Sequence, residues 1–307
     1  MKKKVLVITG PTGTGKTKLG IELAKRLDGE IVSADSMQIY KEMDIGTAKP
    51  DNEELSAAVH HMIDIVEVGE SFSVADYVEK ARKCIDDIIS RGKVPIVVGG
   101  TGLYINSIVE EINYFDTNPS EEYRNKLLEI AKAKGNEVLY NDLKQKDPKA
   151  CERIHINDLK RIIRALEVYE FSNNSITKQQ EMSKMPDKKY DYVVIGLTTD
   201  RETIYDRINR RVDKMFEEGL LEEASKIIKK ADALHTSYQA IGYKELKKYF
   251  DGEIPLEEAK DKIKQETRHY AKRQLTWFRR NQDIVWLDIK DDFNDNVNKV
   301  LRIFLEL

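Results

Sequence analysis

Val5-Leu-Val-Ile-Thr-Gly-Pro-Thr-Gly-Thr-Gly-Lys-Thr17 is an apolar, β-branched run that breaks into a glycine-rich turn ending in Lys16 and Thr17. Helical spacing follows at once, from Thr17 to Leu27. The segment from Gly10 to Thr17 fits G-x-x-x-x-G-K-[ST] in full and lies between a predicted strand and a predicted helix, the context of a phosphate-binding P-loop. Glycines let successive backbone amides point inward, and the N-terminus of the helix adds the positive end of its dipole. Gly10, Pro11, Thr12, Gly13, Thr14, Gly15, Lys16 and Thr17 are therefore the candidate polyphosphate cradle. Lys16 supplies a mobile positive charge, and Thr17 a hydroxyl ligand for magnesium.

Working outward, Glu30-Ile-Val-Ser33, Val94-Pro-Ile-Val-Val98 and Tyr192-Val-Val-Ile-Gly-Leu197 are further strand-like runs. Helical patterns separate them, including Val74 to Arg91. Strands alternating with helices predict an α/β fold of the P-loop NTPase-like type, a parallel sheet covered on both faces. Between Thr117 and Pro186 strand-like runs vanish, and Lys, Glu, Asn and Leu recur at helical spacing. The sheet resumes afterwards, so residues 117–186 are expected to form a helical insertion domain in a core made of 1–116 and 187–307. Helices are expected from Arg201 to Glu217, Leu220 to Ala231 and Leu256 to Arg280. The short apolar run Ile284-Val-Trp-Leu287 precedes a last helix to Leu307.

Composition narrows the class. The 307 residues are 40% hydrophobic and 34% charged, as in a soluble globular protein. No apolar run approaches the ~20 residues that span a bilayer. A cytoplasmic protein with no membrane partner is expected. Cys84 and Cys151 are far apart and lack metal spacing, which reads as free thiols. A net charge of −3 argues against nonspecific DNA coating but not against RNA, because the placement of basic residues decides that.

The cradle specifies a polyphosphate and not a particular nucleotide. The strand Val94–Val98 ends in Gly99-Gly-Thr-Gly-Leu-Tyr104, where many P-loop hydrolases carry an Asp for magnesium. The guanine-reading Asn-Lys-x-Asp is missing as well, so switch-type hydrolysis is not expected. The second strand ends in Ser33-Ala-Asp-Ser-Met-Gln-Ile-Tyr40. Ligands of open α/β sheets sit beyond the carboxyl ends of strands, which places Asp35 near the phosphates. Such a carboxylate can hold magnesium, take a proton from a nucleophile, or simply cap the next turn. His60 and His61 lack partners at metal spacing and read as structural. From Lys260 to Arg280 eight Lys or Arg face two acids, with Tyr270, Trp277 and Phe278 interleaved. Tyr270 and Trp277 share a helical face that reads as core, and the remaining faces as RNA phosphate contacts.

Longer runs carry a family resemblance. Ser33-Ala-Asp-Ser-Met-Gln-Ile-Tyr-Lys-Glu-Met-Asp-Ile-Gly-Thr-Ala-Lys-Pro50, His60-His-Met-Ile-Asp64, Ser71-Phe-Ser-Val-Ala-Asp76 and Pro95-Ile-Val-Val-Gly-Gly-Thr-Gly-Leu-Tyr104 resemble signatures of the bacterial tRNA dimethylallyltransferase family. So do Ile154-His-Ile-Asn-Asp158, Arg161-Ile-Ile-Arg-Ala-Leu-Glu-Val168, Arg207-Ile-Asn-Arg-Arg-Val-Asp213, Gln239-Ala-Ile-Gly-Tyr-Lys-Glu245 and Thr267-Arg-His-Tyr-Ala-Lys-Arg-Gln-Leu-Thr-Trp-Phe-Arg279. They occur in family order over nearly the whole chain. Where the family usually has a Thr-Gly-rich turn, this chain has Phe171-Ser-Asn-Asn-Ser-Ile-Thr177.

The resemblance implies a magnesium-dependent transferase acting as a monomer on dimethylallyl pyrophosphate and tRNA. The acceptor is the adenosine on the 3′ side of the anticodon. Asp35 would be the general base, and Thr101 would hydrogen-bond the bridging oxygen of the leaving pyrophosphate. Lys16, magnesium on Thr17 and an arginine of the Arg207–Arg211 run, with Arg211 the candidate, would neutralise it. The family's tRNA contacts fall on Asp35, Ser36, Met37, Gln38, Thr101, Arg124, Lys160, Arg161, Ile162, Ile163 and Arg164. The competing readings are a P-loop kinase of a nucleoside or nucleotide, with Asp35 activating a hydroxyl, a prenyltransferase of free AMP or ADP, and a non-enzymatic RNA-binding adaptor.

Overall fold

The computed structural model describes residues 2–114, 120–172, 175–183, 188–230, 237–290 and 292–306. The chain falls into two compact units, one of Met1–Val109 with Lys189–Leu307, the other of Glu110–Lys188. The expected insertion limits, Thr117 and Pro186, lie outside the described residues.

The first unit begins β1 (Lys3–Thr9), α1 (Lys16–Leu27), β2 (Gly29–Ser33), α2 (Asn52–Ala57), β3 (His60–His61), α3 (Val74–Ser90), β4 (Val94–Val98) and α4 (Gly102–Val109). Then come α5 to α9 of the second unit: α5 (Glu121–Lys134), α6 (Asn136–Lys146), α7 (Pro148–Cys151), α8 (Leu159–Ser172) and α9 (Ile176–Met182). The first unit resumes with β5 (Tyr190–Thr198), α10 (Arg201–Glu217), α11 (Leu220–Lys230), α12 (Tyr243–Phe250), α13 (Leu256–Phe278), β6 (Val285–Asp288) and α14 (Phe293–Glu306). The expected end of α11, Ala231, lies outside the described residues.

The strands form one parallel sheet in the order β3-β2-β4-β1-β5-β6. Its register sets Leu6 beside Ile96 and Val193, and Val7 beside Val97 and Val194. Alternation then sends Val5, Val7, Val32 and Val97 into a core with α3 and α4, and Leu6, Ile8, Ile31 and Ile96 into one with α1 and α14. Two covered faces explain why these strands read as unbroken apolar runs. Helix α3 starts where Ser73 and Asp76 form a reciprocal capping box.

Two strands were not anticipated. The run after Ile284 pairs with β5 as the edge strand β6. Strand β3 has two residues, too short to show any period, and each of its histidines bonds within the protein. His61 Nε2 lies 2.7 Å from Glu30 Oε2, and His60 Nδ1 lies 2.8 Å from the Ala58 carbonyl. Glu30 is buried within β2, and the Arg91 guanidinium holds its carboxyl well below the usual range.

In the second unit, Leu127, Leu139, Leu143, Ile162, Ile163 and Leu166 form the core. Glu167, fully buried beside them, accepts from Arg124 Nε at 2.7 Å and Nη2 at 2.9 Å, from Arg164 Nη1 at 2.7 Å and from the Ser120 amide. Burial pushes this carboxyl up, but the two guanidinium groups outweigh it and the net direction is down. Both cysteines are free. No helix among the described residues is long and apolar enough to cross a membrane.

Candidate active site at the carboxyl ends of the strands

Strand β1 delivers the chain into the Gly10–Thr17 loop, and the geometry there admits little but glycine at the first position. Gly10 has φ 135°, and a Cβ would stand 2.4 Å from the Leu197 carbonyl of β5. Thr14 Oγ1 donates to the Pro11 carbonyl at 2.8 Å and braces the turn. Lys16 opens α1 and folds back so that Nζ donates to the same carbonyl at 2.9 Å. Burial lowers its pKa to about 7, the charge of Arg211 adds to this, and Asp35 opposes it. The three side chains thus form one electrostatic group.

Helix α10 lays arginines on the loop. Arg211 Nη1 donates to Thr12 Oγ1 at 3.3 Å, and Arg207, one turn earlier, donates to the Gly13 carbonyl at 3.4 Å. Arg210 is turned to Asp206 on its own helix. Arg207 and Arg211 are therefore the members of the run that face the cradle.

The Asp35 carboxylate caps its turn with one oxygen: Oδ1 accepts from the Met37 amide at 2.9 Å and the Gln38 amide at 3.4 Å. Capping and chemistry, which competed in the sequence, are compatible because Oδ2 takes no part in that turn. Burial raises the Asp35 pKa, against the pull of those amides and of Lys16. Thr101, beyond β4, is tied to the same turn. Its Oγ1 accepts from the Ser36 amide at 2.9 Å and lies 3.3 Å from Ser36 Oγ. Base candidate, leaving-group candidate and phosphate loop thus follow the carboxyl ends of three neighbouring strands, β2, β4 and β1.

Gln38 is committed within the protein. Its Nε2 donates to the carbonyls of Thr47 and Ala48, and Ser33 Oγ donates to its Oε1. The following loop is held by Glu223, which accepts from the amides of Asp44, Ile45 and Gly46 and from the Tyr243 hydroxyl at 2.7–2.9 Å. Neither Glu223 nor Tyr243 was singled out from the sequence. Tyr243 lies in the Gln239–Glu245 run quoted above, whose purpose becomes visible only here. Of the pair read as core, Trp277 packs against the core of α3 and α4, whereas Tyr270 is half-buried and, among the described residues, belongs to none of the hydrophobic clusters.

The remaining candidates belong to the second unit. Lys160 and Arg161 are exposed at the start of α8, whereas Arg124 and Arg164 share Glu167. Ile162 and Ile163 require a correction. They are 0% and 6% exposed, so their side chains hold α8 to its core and do not present themselves to RNA.

Among the described residues no group of three or more His, Cys, Asp or Glu can hold a metal. The donor set fits magnesium in one way. Thr17 would give one hydroxyl, and phosphate oxygens and water would complete the shell, as this reluctantly dehydrated ion favours.

A family model described as IPP transferase matches residues 38–281. A tRNA dimethylallyltransferase of Acetivibrio thermocellus is 52% identical over 299 residues, 97% of this chain and 95% of that protein. The solved full-length tRNA isopentenylpyrophosphate transferase of Bacillus halodurans is 45% identical, with a TM-score of 0.74 and coverage of 99% and 98%. A eukaryotic dimethylallyltransferase, solved acting on tRNA, gives a TM-score of 0.83 at 31% identity, over 98% of this chain and 78% of the other. The match spans site and scaffold together, and the chain belongs to the IPP transferase family.

Proposed function

We propose that this protein is a tRNA dimethylallyltransferase with a P-loop NTPase-like core. It moves the dimethylallyl group of dimethylallyl pyrophosphate to the exocyclic amine of the adenosine 3′ to the anticodon. The observation that carries this reading is the meeting of Asp35, whose pKa burial raises, with a phosphate cradle and the Thr101 hydroxyl beyond the carboxyl ends of β2, β1 and β4.

The amine nitrogen attacks the first prenyl carbon. A carbon–nitrogen bond forms, the carbon–oxygen bond breaks, pyrophosphate leaves with the electron pair, and Asp35 takes the amine proton. Thr101 donates to the bridging oxygen, while Lys16, Arg207 and Arg211 neutralise the developing charge. Thr17 would hold magnesium, which would supply further positive charge for the leaving phosphates. Lys160 and Arg161 contact tRNA phosphates, and the monomer is the working unit.

Mass spectrometry of tRNA incubated with the protein and dimethylallyl pyrophosphate tests this. One adenosine near the anticodon should gain one dimethylallyl group. Unmodified tRNA, together with label transfer from γ-labelled ATP to a small acceptor, would replace this reading with the kinase.

A further inference from the structure

Helix α13 reaches both loops of the site through one side chain. Gln274 is 5% exposed; its Oε1 accepts from the Thr12 amide at 2.9 Å and its Nε2 donates to the Gly100 carbonyl at 2.8 Å. A backbone amide only donates and a carbonyl only accepts, so the orientation of the Gln274 amide is fixed by its partners. The contact is tight. A Cβ at Gly100 would stand 2.3 Å from Gln274 Nε2, and one at Gly102 would stand 2.4 Å from Trp277. Thr12 belongs to the phosphate loop, and its amide is thereby withdrawn from phosphate. Gly100 precedes Thr101.

Thr101 Oγ1 accepts from the Ser36 amide at 2.9 Å and donates toward Ser36 Oγ at 3.3 Å, so its place follows from where the loop after Gly100 is held.

We infer that Gln274 is a positioning residue for leaving-group departure. Its amide sets the spacing between the phosphate cradle and the loop of Thr101. It does not touch the reacting atoms and acts through Thr101 and the phosphate loop. The inference rests on the prenyl-transfer reading.

The test is a single-turnover measurement of prenyl transfer on preformed enzyme–tRNA–donor complex, with inorganic pyrophosphate inhibition and thermal melting measured alongside. Gln274→Met should slow the transfer step by about 100-fold, the scale of a misplaced reacting group. Pyrophosphate inhibition should stay within about 3-fold of wild type, because Lys16, Thr17 and Arg211 are untouched. Gln274→Glu keeps an acceptor for the Thr12 amide but loses the donor to the Gly100 carbonyl, and should slow the same step by about 10-fold. A transfer rate near wild type in the folded Gln274→Met variant overturns the spacing role. A pyrophosphate affinity that falls in step with the rate overturns it too, since Gln274 would then merely build the cradle. If Gln274→Met does not fold, an unaltered rate in Gln274→Glu overturns the inference. Absence of transfer by the wild type would instead sink the underlying reading.

Discussion

At the scale of single residues, Asp35 and Lys16 carry opposite perturbations from a common cause. Removal from water disfavours charge on both, raising the acid and lowering the amine. A base with a raised pKa accepts a proton more readily, but its activity fails as pH falls through that raised value. The acid limb of turnover should lie above that of an ordinary Asp. Asp35→Ala should lower turnover by about 100-fold or more with donor affinity retained, which steady-state kinetics and a donor titration check together. Lys16 works with the other sign, because pyrophosphate favours its charged form. Affinity for inorganic pyrophosphate should weaken as pH rises through about 7, and Lys16→Ala should abolish that dependence. In the free protein, stability should rise with pH between about 7 and 10.5, where the unfolded chain binds the extra proton. The cradle was legible in the sequence because its eight residues are contiguous. The roles of Gln274 and Glu223 were not, because each depends on partners that only tertiary structure brings near.

Among elements, the long helices α3, α10 and α13 announce themselves by period, and α3 also by its Ser73–Asp76 cap. Helix α4 does not, since it starts on a glycine and is apolar on most sides. Strand β3 is too short for any pattern. Helix α8 shows where pattern misleads. The run Lys160–Arg164 reads as one RNA-facing motif, yet its two isoleucines point into the core and Arg164 joins Arg124 on buried Glu167. The three-residue cluster holds α5 to α8. Replacing Glu167 with Gln keeps the shape but removes the charge that both guanidinium groups share. The expected loss is about 1–3 kcal/mol, read by urea denaturation and by faster amide exchange in α5 and α8. The carboxyl is held low in the folded protein, so its contribution is present at neutral pH and is lost as pH falls through that lowered value. The variant should lose this acid dependence along with the stability.

Across the whole molecule, the sequence implied parallel strands but not their order. The arrangement β3-β2-β4-β1-β5-β6 depends on which strand each crossover reaches, and β5 comes from beyond the second unit. Net charge is equally uninformative, for a chain at −3 must bind RNA through local basic surface. The α13 region illustrates the sorting. Lys260 and Lys264 both pair with Asp213, Lys262 pairs with Glu258, and Arg268 donates to Asn209. Lys272, Arg273, Arg279 and Arg280 remain exposed, as do Lys160 and Arg161 of the second unit. If Arg161 and Lys272 meet tRNA phosphates, removing each should reduce the slope of log affinity against log salt by roughly 0.7 to 0.9. Inorganic pyrophosphate affinity should stay at the wild-type value, because Lys16, Arg207 and Arg211 at the cradle are untouched. Arg164→Ala removes a partner of Glu167 as well, so its effect should divide between a smaller slope and a lower melting temperature. Titrating labelled tRNA at several salt concentrations against Arg161→Ala, Lys272→Ala and the double variant separates contact from mere exposure. Identical slopes in all three would place the tRNA on other basic residues and remove α8 from its recognition.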